Sequence, residues 1–240
     1  RINKTLFMTT GIMQPYFFPY IGYFQLIYSV DIFVFYDDVN YRKRSWINRN
    51  RVLFNNTDLL ITIPCKKASQ NKMINEIEID RDSKKIYQAL KTIETSYKKA
   101  PFFHEVFPLI ERCFNFNNTN LAYYSSNSVI EVCNYLRIDK DFRYSSVLYP
   151  ETKGLEKADR LISITKLTGS GEYINPIGGS EIYSKEYFKQ NNVNLLFIRT
   201  DDFKYQQFND VFIPFLSIID VLMFNSKEQI ITLLNKFSLL

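Results

Sequence analysis

At the start of the chain, two short apolar runs flank a segment whose apolar side chains recur at helical spacing. Residues 11–13 are apolar and end at Gln14, residues 21–30 carry apolar side chains at helical spacing, and residues 32–35 are β-branched or aromatic. This order predicts a strand, a helix and a second strand. Such a unit pairs its two strands in parallel through a right-handed crossover. We therefore expect a parallel sheet whose second strand ends just before Asp37.

The middle of the chain carries two more strand patterns and a helical block. Residues 58–64 and 76–79 have the composition of strands. Apolar side chains then recur at helical spacing over about 82–137. We expect Pro108 to kink or end the second of three helices early, and Thr119 to cap the third. The block is predicted to be a helical insertion between strands.

The second half of the chain alternates strand and helix patterns, as α/β proteins do. The predicted elements are strands at 142–148, 172–175 and 195–198, helices at 156–167 and 184–191, and a helical tail from 214. No linker rich in Gly, Ser and Pro divides the chain, so residues 8–240 are predicted to form a single domain. Residues 1–7 are interpreted as an N-terminal extension without a signal-peptide pattern. The predicted fold class is α/β, three-layer, with a mostly parallel sheet and the helical insertion.

Composition narrows the classes of function. The net charge of +5 is modest, so a nucleic-acid target is not expected, whereas a small anionic ligand such as a nucleotide-linked sugar would suit it. Three cysteines without a CxxC pair are typical of a reduced, cytoplasmic protein with no zinc site. No run of about 18 apolar residues is present, so no transmembrane segment is expected.

Two adjacent carboxylates, Asp37 and Asp38, follow the second predicted strand. Ligands of open α/β sheets bind beyond the carboxyl ends of the strands, where Gln14 also falls. Either carboxylate is a candidate general base for a sugar amine or a Mg²⁺ ligand beside a pyrophosphate. The structural alternative is that one caps a turn and the other pairs with Arg42 or Arg44. We predict catalytic roles for Asp38, Asp37 and Gln14, with Asp38 as the less paired base and Asp37 holding the loop.

A basic and aromatic segment comes next. Arginine suits phosphate because its planar fork can bind two oxygens at once. The only tryptophan, Trp46, either stacks on a base or sugar or anchors the loop in the core. The alternative for the whole segment is a solvated, charged loop. The predicted binding residues are Tyr16, Lys43, Arg44, Trp46, Arg49, Asn50 and Arg51.

A pair of glycines follows the strand predicted at 172–175. Glycines allow backbone amides to approach a phosphate closely, although paired glycines are also common in simple turns. The predicted binding residues here are Asn175, Gly178, Gly179 and Tyr183. Since parallel strands end at one edge of a sheet, we expect Gln14, the two carboxylates and Arg49 to face these glycines across one pocket.

Two residues with reactive side chains are predicted to stay outside the chemistry. His104, the only histidine, lies in no recognisable motif and is expected to be a packed or surface residue. Cys65 is not expected to be a nucleophile. The chain contains no GxSxG, P-loop or HExxH motif.

Five segments together resemble the WbqC-like family. They are Gln14-Pro15-x-x-x-Pro19-x-x-Gly22-Tyr23-Phe24, Asp31-x-Phe33-Val34-x-x-Asp37-Asp38-Val39, Trp46-x-x-Arg49-Asn50-Arg51, Asn175-Pro176-Ile177-Gly178-Gly179 with Tyr183, and Tyr205-x-Gln207 through Leu216-Ser217-Ile218-Ile219-Asp220-Val221-Leu222. The resemblance covers nearly the whole chain. The WbqC-like family is associated with bacterial gene clusters for O-antigen and other surface polysaccharides.

The resemblance implies a cytoplasmic enzyme of surface-polysaccharide assembly. We expect a transferase that moves an acyl or aminoacyl group from an unidentified donor to the amine of a nucleotide-linked deoxyamino sugar. One alternative is a non-catalytic sugar-nucleotide-binding subunit of a polysaccharide assembly complex. Another is a nucleotidylyltransferase-like, ATP-dependent ligase. The sequence names no cofactor and leaves the oligomeric state open, a homo-oligomer included.

Overall fold

The computed structural model describes residues 8–240, and the predicted N-terminal extension, residues 1–7, lies outside the described residues. The strands are β1 (Thr9–Met13), β2 (Ile32–Phe35), β3 (Arg49–Phe54), β4 (Thr57–Thr62), β5 (Cys65–Lys66), β6 (Glu78–Ile79), β7 (Asp141–Tyr144), β8 (Glu172–Pro176), β9 (Asn194–Thr200) and β10 (Phe237–Leu239). The helices are α1 (Ile21–Ser29), α2 (Lys84–Tyr97), α3 (Phe103–Phe114), α4 (Leu121–Tyr135), α5 (Ser145–Leu148), α6 (Lys157–Leu167), α7 (Lys185–Gln190), α8 (Ile218–Phe224) and α9 (Lys227–Leu234).

A six-stranded sheet ordered β10-β9-β8-β1-β2-β7 forms the centre of the fold. Its neighbours are parallel except for β10, which pairs antiparallel with β9. The predicted strand–helix–strand unit is confirmed, with Gly11 of β1 opposite Phe33 of β2. The predicted strand at 195–198 is also confirmed, as part of β9, and the predicted helical tail ends in a further strand, β10, at the edge of the sheet.

Both faces of the sheet are covered. Side chains of a strand point alternately to its two faces, so Phe33 and Phe35 pack with α1 and the helical insertion, whereas Ile32 and Val34 pack with α6 and α7. A strand buried on both sides needs a continuous apolar run, which explains the sequence of β2. The three-layer α/β fold with a mostly parallel sheet is therefore confirmed.

The helical block at 82–137 forms α2, α3 and α4. Asn120 caps α4, where Thr119 was the predicted cap: its side-chain oxygen accepts hydrogen bonds from the N–H groups of Ala122 and Tyr123. Pro108 was expected to kink the second helix or end it early, and the early end is wrong because α3 continues to Phe114. The buried apolar side chains of α3 on either side of Pro108 stabilise the helix against the roughly 3 kcal/mol that an interior proline costs.

Two other predicted segments adopt different structures. The strand predicted at 142–148 stops at Tyr144, where α5 begins. Residues 49–51, for which a solvated loop was the alternative to a binding role, begin β3, which pairs antiparallel with β4 in a hairpin outside the central sheet. In the part of the chain that the structure describes, no helix is both long and apolar enough to cross a membrane.

Candidate functional site

The main candidate site is a cavity of about 590 Å³ at the carboxyl edge of the central sheet. It lies beyond the ends of β1 and β8, which are adjacent and parallel. The chain leaves β1 for α1 on one face of the sheet and leaves β8 for α7 on the other. Strand order reverses at this point, and such a crevice is where open α/β sheets bind ligands. We call it the sheet-edge cavity.

Most of the predicted binding residues line this cavity. The predicted residues in its lining are Gln14, Tyr16, Lys43, Arg44, Trp46, Asn175, Gly178, Gly179 and Tyr183. Three residues that were not predicted to bind a ligand, Arg42, Tyr36 and Tyr173, line it as well. Residues near 14–46 and 173–183 are thus brought together, as the parallel pairing of β1 and β8 requires.

The basic side of the cavity is the turn that carries Arg42, Lys43 and Arg44. All three side chains are exposed, and Arg44 has a left-handed backbone with φ of 62°. Arg49 donates from Nε to the Ser45 carbonyl at 3.1 Å and from Nη2 to the Arg44 carbonyl. The guanidinium of Arg49 therefore fixes the turn and leaves the three neighbouring cations available to a ligand.

Arg49, Asn50 and Arg51 do not line the sheet-edge cavity, contrary to expectation. They lie on β3, and Asn50 is buried with its amide donating to the carbonyls of Phe17 and Phe18. Arg51 pairs with Asp58 at 3.3 Å, and the guanidinium carbons of Arg49 and Arg51 each lie 5.8 Å from the centre of the Trp46 ring. The guanidinium groups of Arg49 and Arg51 are thus within cation–π range of Trp46.

Asp37 is fully buried and holds the start of α5. It accepts hydrogen bonds from the Ser146 backbone N–H at 3.0 Å, the Ser146 hydroxyl at 2.6 Å and the Ser145 hydroxyl at 3.1 Å. These contacts fix α5, and the predicted role of Asp37 in holding the loop that follows β2 stays a prediction. They also explain why β7 ends at Tyr144, since the two serines turn toward the carboxylate.

Asp38 is not the less paired carboxylate that was expected. Its Oδ2 lies 2.5 Å from Nη2 of Arg160 on α6, and both side chains are almost completely buried. Neither Asp37 nor Asp38 lines the sheet-edge cavity. The link to the cavity is indirect, because the Arg160 guanidinium carbon lies 4.7 Å from the centre of the Tyr36 ring, which does line it. The alternative partners Arg42 and Arg44 are too exposed to satisfy a buried carboxylate.

The glycine pair has two distinct environments. A Cβ at Gly179 would lie 2.1 Å from Oδ1 of Asn175, whereas a Cβ at Gly178 would meet nothing within 4 Å. The Asn175 amide donates to the Tyr173 hydroxyl, which keeps the asparagine in place. Gly179 is therefore required by packing, and Gly178 presents open backbone to the cavity.

Tyrosine hydroxyls supply the neutral donors of the site. Burial raises the pKa of Tyr16, Tyr36 and Tyr183 above the usual value of 10.0, so each stays protonated at neutral pH. The described lining contains three cations but no carboxylate and no imidazole. Chemically, the cavity can bind a phosphate-bearing ligand and donate hydrogen bonds to a developing negative charge.

His104 and Cys65 lie outside the cavity lining. His104 is exposed in the first turn of α3, and the neighbouring Glu105 pairs with Lys227 at 3.0 Å. Burial raises the pKa of the Cys65 thiol to about 12, so it is almost entirely protonated at neutral pH.

Fold and cavity together define a class: α/β proteins with a ligand site where the strand order of a mostly parallel sheet reverses. The sequence then gives the family. The WbqC-like protein family model matches residues 14–232, and the chain belongs to this family. The chain is similar to the uncharacterized protein Rv1507c of Mycobacterium tuberculosis, with 29% identity over 216 residues that span 88% of this chain and 91% of that protein. No solved structure matches the chain significantly.

Proposed function

We propose that the protein is a cytoplasmic transferase that binds a nucleotide-linked deoxyamino sugar in the sheet-edge cavity and acylates or aminoacylates the sugar amine. The observation that carries the proposal is the meeting of the 42–44 turn with the open backbone of Gly178 at the strand-order reversal. Cations beside a glycine backbone that no side chain obstructs suit a diphosphate at such a crevice. Membership of the WbqC-like family supports a place in O-antigen or surface-polysaccharide biosynthesis.

The reaction would depend on placing the sugar amine next to the acyl donor and on hydrogen bonds to the acyl oxygen as it gains negative charge. The amine nitrogen forms a bond to the acyl carbon, the bond from that carbon to the donor's leaving group breaks, and the amine proton passes to the leaving group or to solvent. Because no described side chain of the lining is a carboxylate or imidazole, the amine must enter uncharged. The Tyr16 and Tyr183 hydroxyls are the donors available to the acyl oxygen as it gains charge.

The second candidate is a non-catalytic sugar-nucleotide-binding subunit. The lack of a base among the described lining residues favours it. The transferase is preferred because a second pocket adjoins the first and shares Tyr16 and Trp46 with it. Two adjoining pockets suit two reacting groups, whereas a binding subunit needs only one.

Binding is tested with a panel of nucleoside diphosphates and their amino sugars. Ligands that bind only the folded state raise the melting temperature. The Arg42→Ala/Lys43→Ala variant should lose this shift, whereas Lys84→Ala/Lys85→Ala, which removes the same charge from an exposed part of α2, should keep it. No shift for the parent protein with any ligand at millimolar concentration would contradict the proposal.

Turnover is tested by mass spectrometry of the amino sugar after incubation with acyl and aminoacyl donors. A mass gain matching the acyl group identifies the transferase. A mass gain only with a free acid and ATP would assign the ligase instead. Binding without any mass gain over a broad donor panel would assign the non-catalytic subunit.

A further inference from the structure

A smaller pocket of about 200 Å³ opens beside the sheet-edge cavity. We call it the side pocket. Its lining consists of Tyr16, Pro19, Tyr20, Trp46, Asn50, Arg51 and Phe215. Tyr16 and Trp46 belong to both linings, so these two rings form the boundary between a basic compartment and an aromatic one. A ligand that passes between them would place one part in each.

The aromatic walls are held in place by backbone features. The ring of Tyr20 lies across Gly22 of α1, where a Cβ would come within 2.4 Å of the ring and hydroxyl of Tyr20. The glycine of the Pro-x-x-Gly-Tyr-Phe motif thus gives Tyr20 its position at the pocket. A side chain at residue 22 would displace that wall.

Phe215 forms the outer wall at a cost to the fold. Its backbone is left-handed with φ of 57°, a conformation that non-glycine residues rarely adopt, and its side chain is 70% exposed. Arg51 donates from Nη2 to the Phe215 carbonyl at 3.3 Å. Because the ring is exposed, its burial does not offset the backbone strain. Backbone strain of this kind is concentrated at ligand sites, which is consistent with Phe215 forming a wall of the pocket.

Arg51 also leaves a polar group without a partner. Among residues 8–240, no atom accepts a hydrogen bond from its buried Nε. A buried donor without an acceptor is costly, and because protein atoms already cover this nitrogen, the cost belongs to the fold around the pocket and Nε is not itself a ligand contact. The rest of the guanidinium is engaged by Asp58 and Phe215, so the charge of Arg51 is already paired and the side pocket suits an uncharged group.

We infer that the side pocket binds the short acyl group that the reaction transfers, with the carbonyl at the boundary beside Tyr16 and the alkyl chain against Tyr20 and Phe215. The identity of the ligand as the transferred acyl group rests on the proposed function, whereas the binding of a short uncharged chain in the side pocket does not. A cavity of about 150 Å³ holds a benzene molecule, so the side pocket receives a chain of a few carbon atoms and excludes a long lipid chain.

The single indole N–H signal of Trp46 in a ¹⁵N-correlated NMR spectrum reports on both compartments. The probes are acetamide and butanamide, which carry the carbonyl and chain without charge, and uridine diphosphate. Butanamide should shift the indole signal saturably and bind about tenfold more tightly than acetamide, because two further methylene groups leave water. Equal affinity for the two amides, or no shift with either, would overturn the side-pocket assignment.

Variants separate this inference from the proposed function. Phe215→Ala should weaken butanamide roughly fivefold or more while leaving uridine diphosphate binding unchanged, since it removes one aromatic wall. Val211→Ala, an exposed apolar residue outside both linings, is the control and should bind butanamide normally. Equal weakening in both variants would refute the pocket. If the protein binds uridine diphosphate but not butanamide, only the side-pocket assignment is refuted. If it binds butanamide but not uridine diphosphate, the proposed nucleotide site is refuted.

Discussion

Asp38 and Arg160 form a buried ion pair, with Oδ2 and Nη2 2.5 Å apart and the two side chains 4% and 6% exposed. The pair joins the loop after β2 to α6. Arg160 also donates from Nε to the Thr152 hydroxyl at 3.2 Å and contacts the Tyr36 ring. It therefore connects a buried carboxylate to the wall of the sheet-edge cavity.

The first prediction concerns this pair. Arg160→Ala leaves a buried carboxylate without its cation, and we expect the free energy of unfolding to fall by about 3–5 kcal/mol. Urea denaturation followed by circular dichroism measures it. The control is Lys91→Ala, which removes an exposed ion pair with Glu94 and should cost far less. Similar losses in the two variants would show that burial does not set the strength of the Asp38 pair.

Local patterns predicted the elements that depend on local interactions. The apolar run of β2 and the helical spacing of apolar side chains in α2 are both present. These features depend on neighbours within a few positions, which a sequence shows directly. The convergence of the 14–46 segment with 175–183 was also predictable, because parallel strands end at one edge of a sheet.

The partners of buried charges were not predictable in the same way. Asp38 pairs with a residue 122 positions away, and Asp37 with two serines more than 100 positions away. Arg160 looks in the sequence like any polar position of an amphipathic helix. Nothing in the local pattern distinguishes a buried arginine at this position from an exposed one. The prediction that Asp38 is the general base failed for this reason, because its cationic partner could not be identified from the sequence.

The second prediction separates the two adjacent glycines. Gly179→Ala should destabilise the fold by roughly 1–3 kcal/mol, because its Cβ would overlap the fixed side chain of Asn175. Gly178→Ala has free space and should melt like the parent protein. If the Gly178 backbone approaches a diphosphate, that variant should nevertheless bind uridine diphosphate more weakly. Thermal melts with and without the ligand measure both effects, and equal melting temperatures for the two variants would contradict the assigned environments.

The third prediction concerns the cysteine thiols. Burial raises the pKa of Cys65 and Cys133 to about 12 and also raises that of Cys113. At pH 8 only about one such thiol in 10⁴ is ionised, and the thiolate is the reactive form. The folded protein should react slowly with iodoacetamide, and three equivalents should react quickly after denaturation. Fast labelling of one cysteine in the folded protein would point to an activated thiol and reopen a nucleophilic role for it.

The fourth prediction tests whether His104 takes part in the chemistry. The residue is exposed on α3 and lies outside the cavity lining, so His104→Asn should retain nearly all binding and turnover. The positive comparison is Tyr183→Phe, which removes a hydroxyl from the cavity and should lower turnover more than ligand affinity if that hydroxyl stabilises an oxyanion. A thousandfold loss of turnover in a folded His104→Asn protein would make an imidazole base the leading mechanism.

The last prediction follows from a buried carboxylate near the end of the chain. Asp220 is completely buried in the first turn of α8 and accepts hydrogen bonds from the Tyr97 hydroxyl at 2.9 Å, the Tyr205 hydroxyl at 2.6 Å and the Gln207 amide at 2.7 Å. None of these partners is a cation. Desolvation raises its pKa above the ordinary 3.8, and the three hydrogen bonds offset only part of that rise.

A raised pKa in the folded state means that the folded protein holds this proton more tightly than the unfolded chain. The contribution of Asp220 to the free energy of unfolding is therefore greatest below pH 3.8 and declines as the pH rises through the folded-state pKa. Asp220→Asn removes the titration, so the stability of the parent protein minus that of the variant should fall over this window and stay level above it. Urea denaturation at a series of pH values measures the difference. If the difference instead grows with pH, the hydrogen bonds from Tyr97, Tyr205 and Gln207 outweigh desolvation, and Asp220 is held as a stabilised anion.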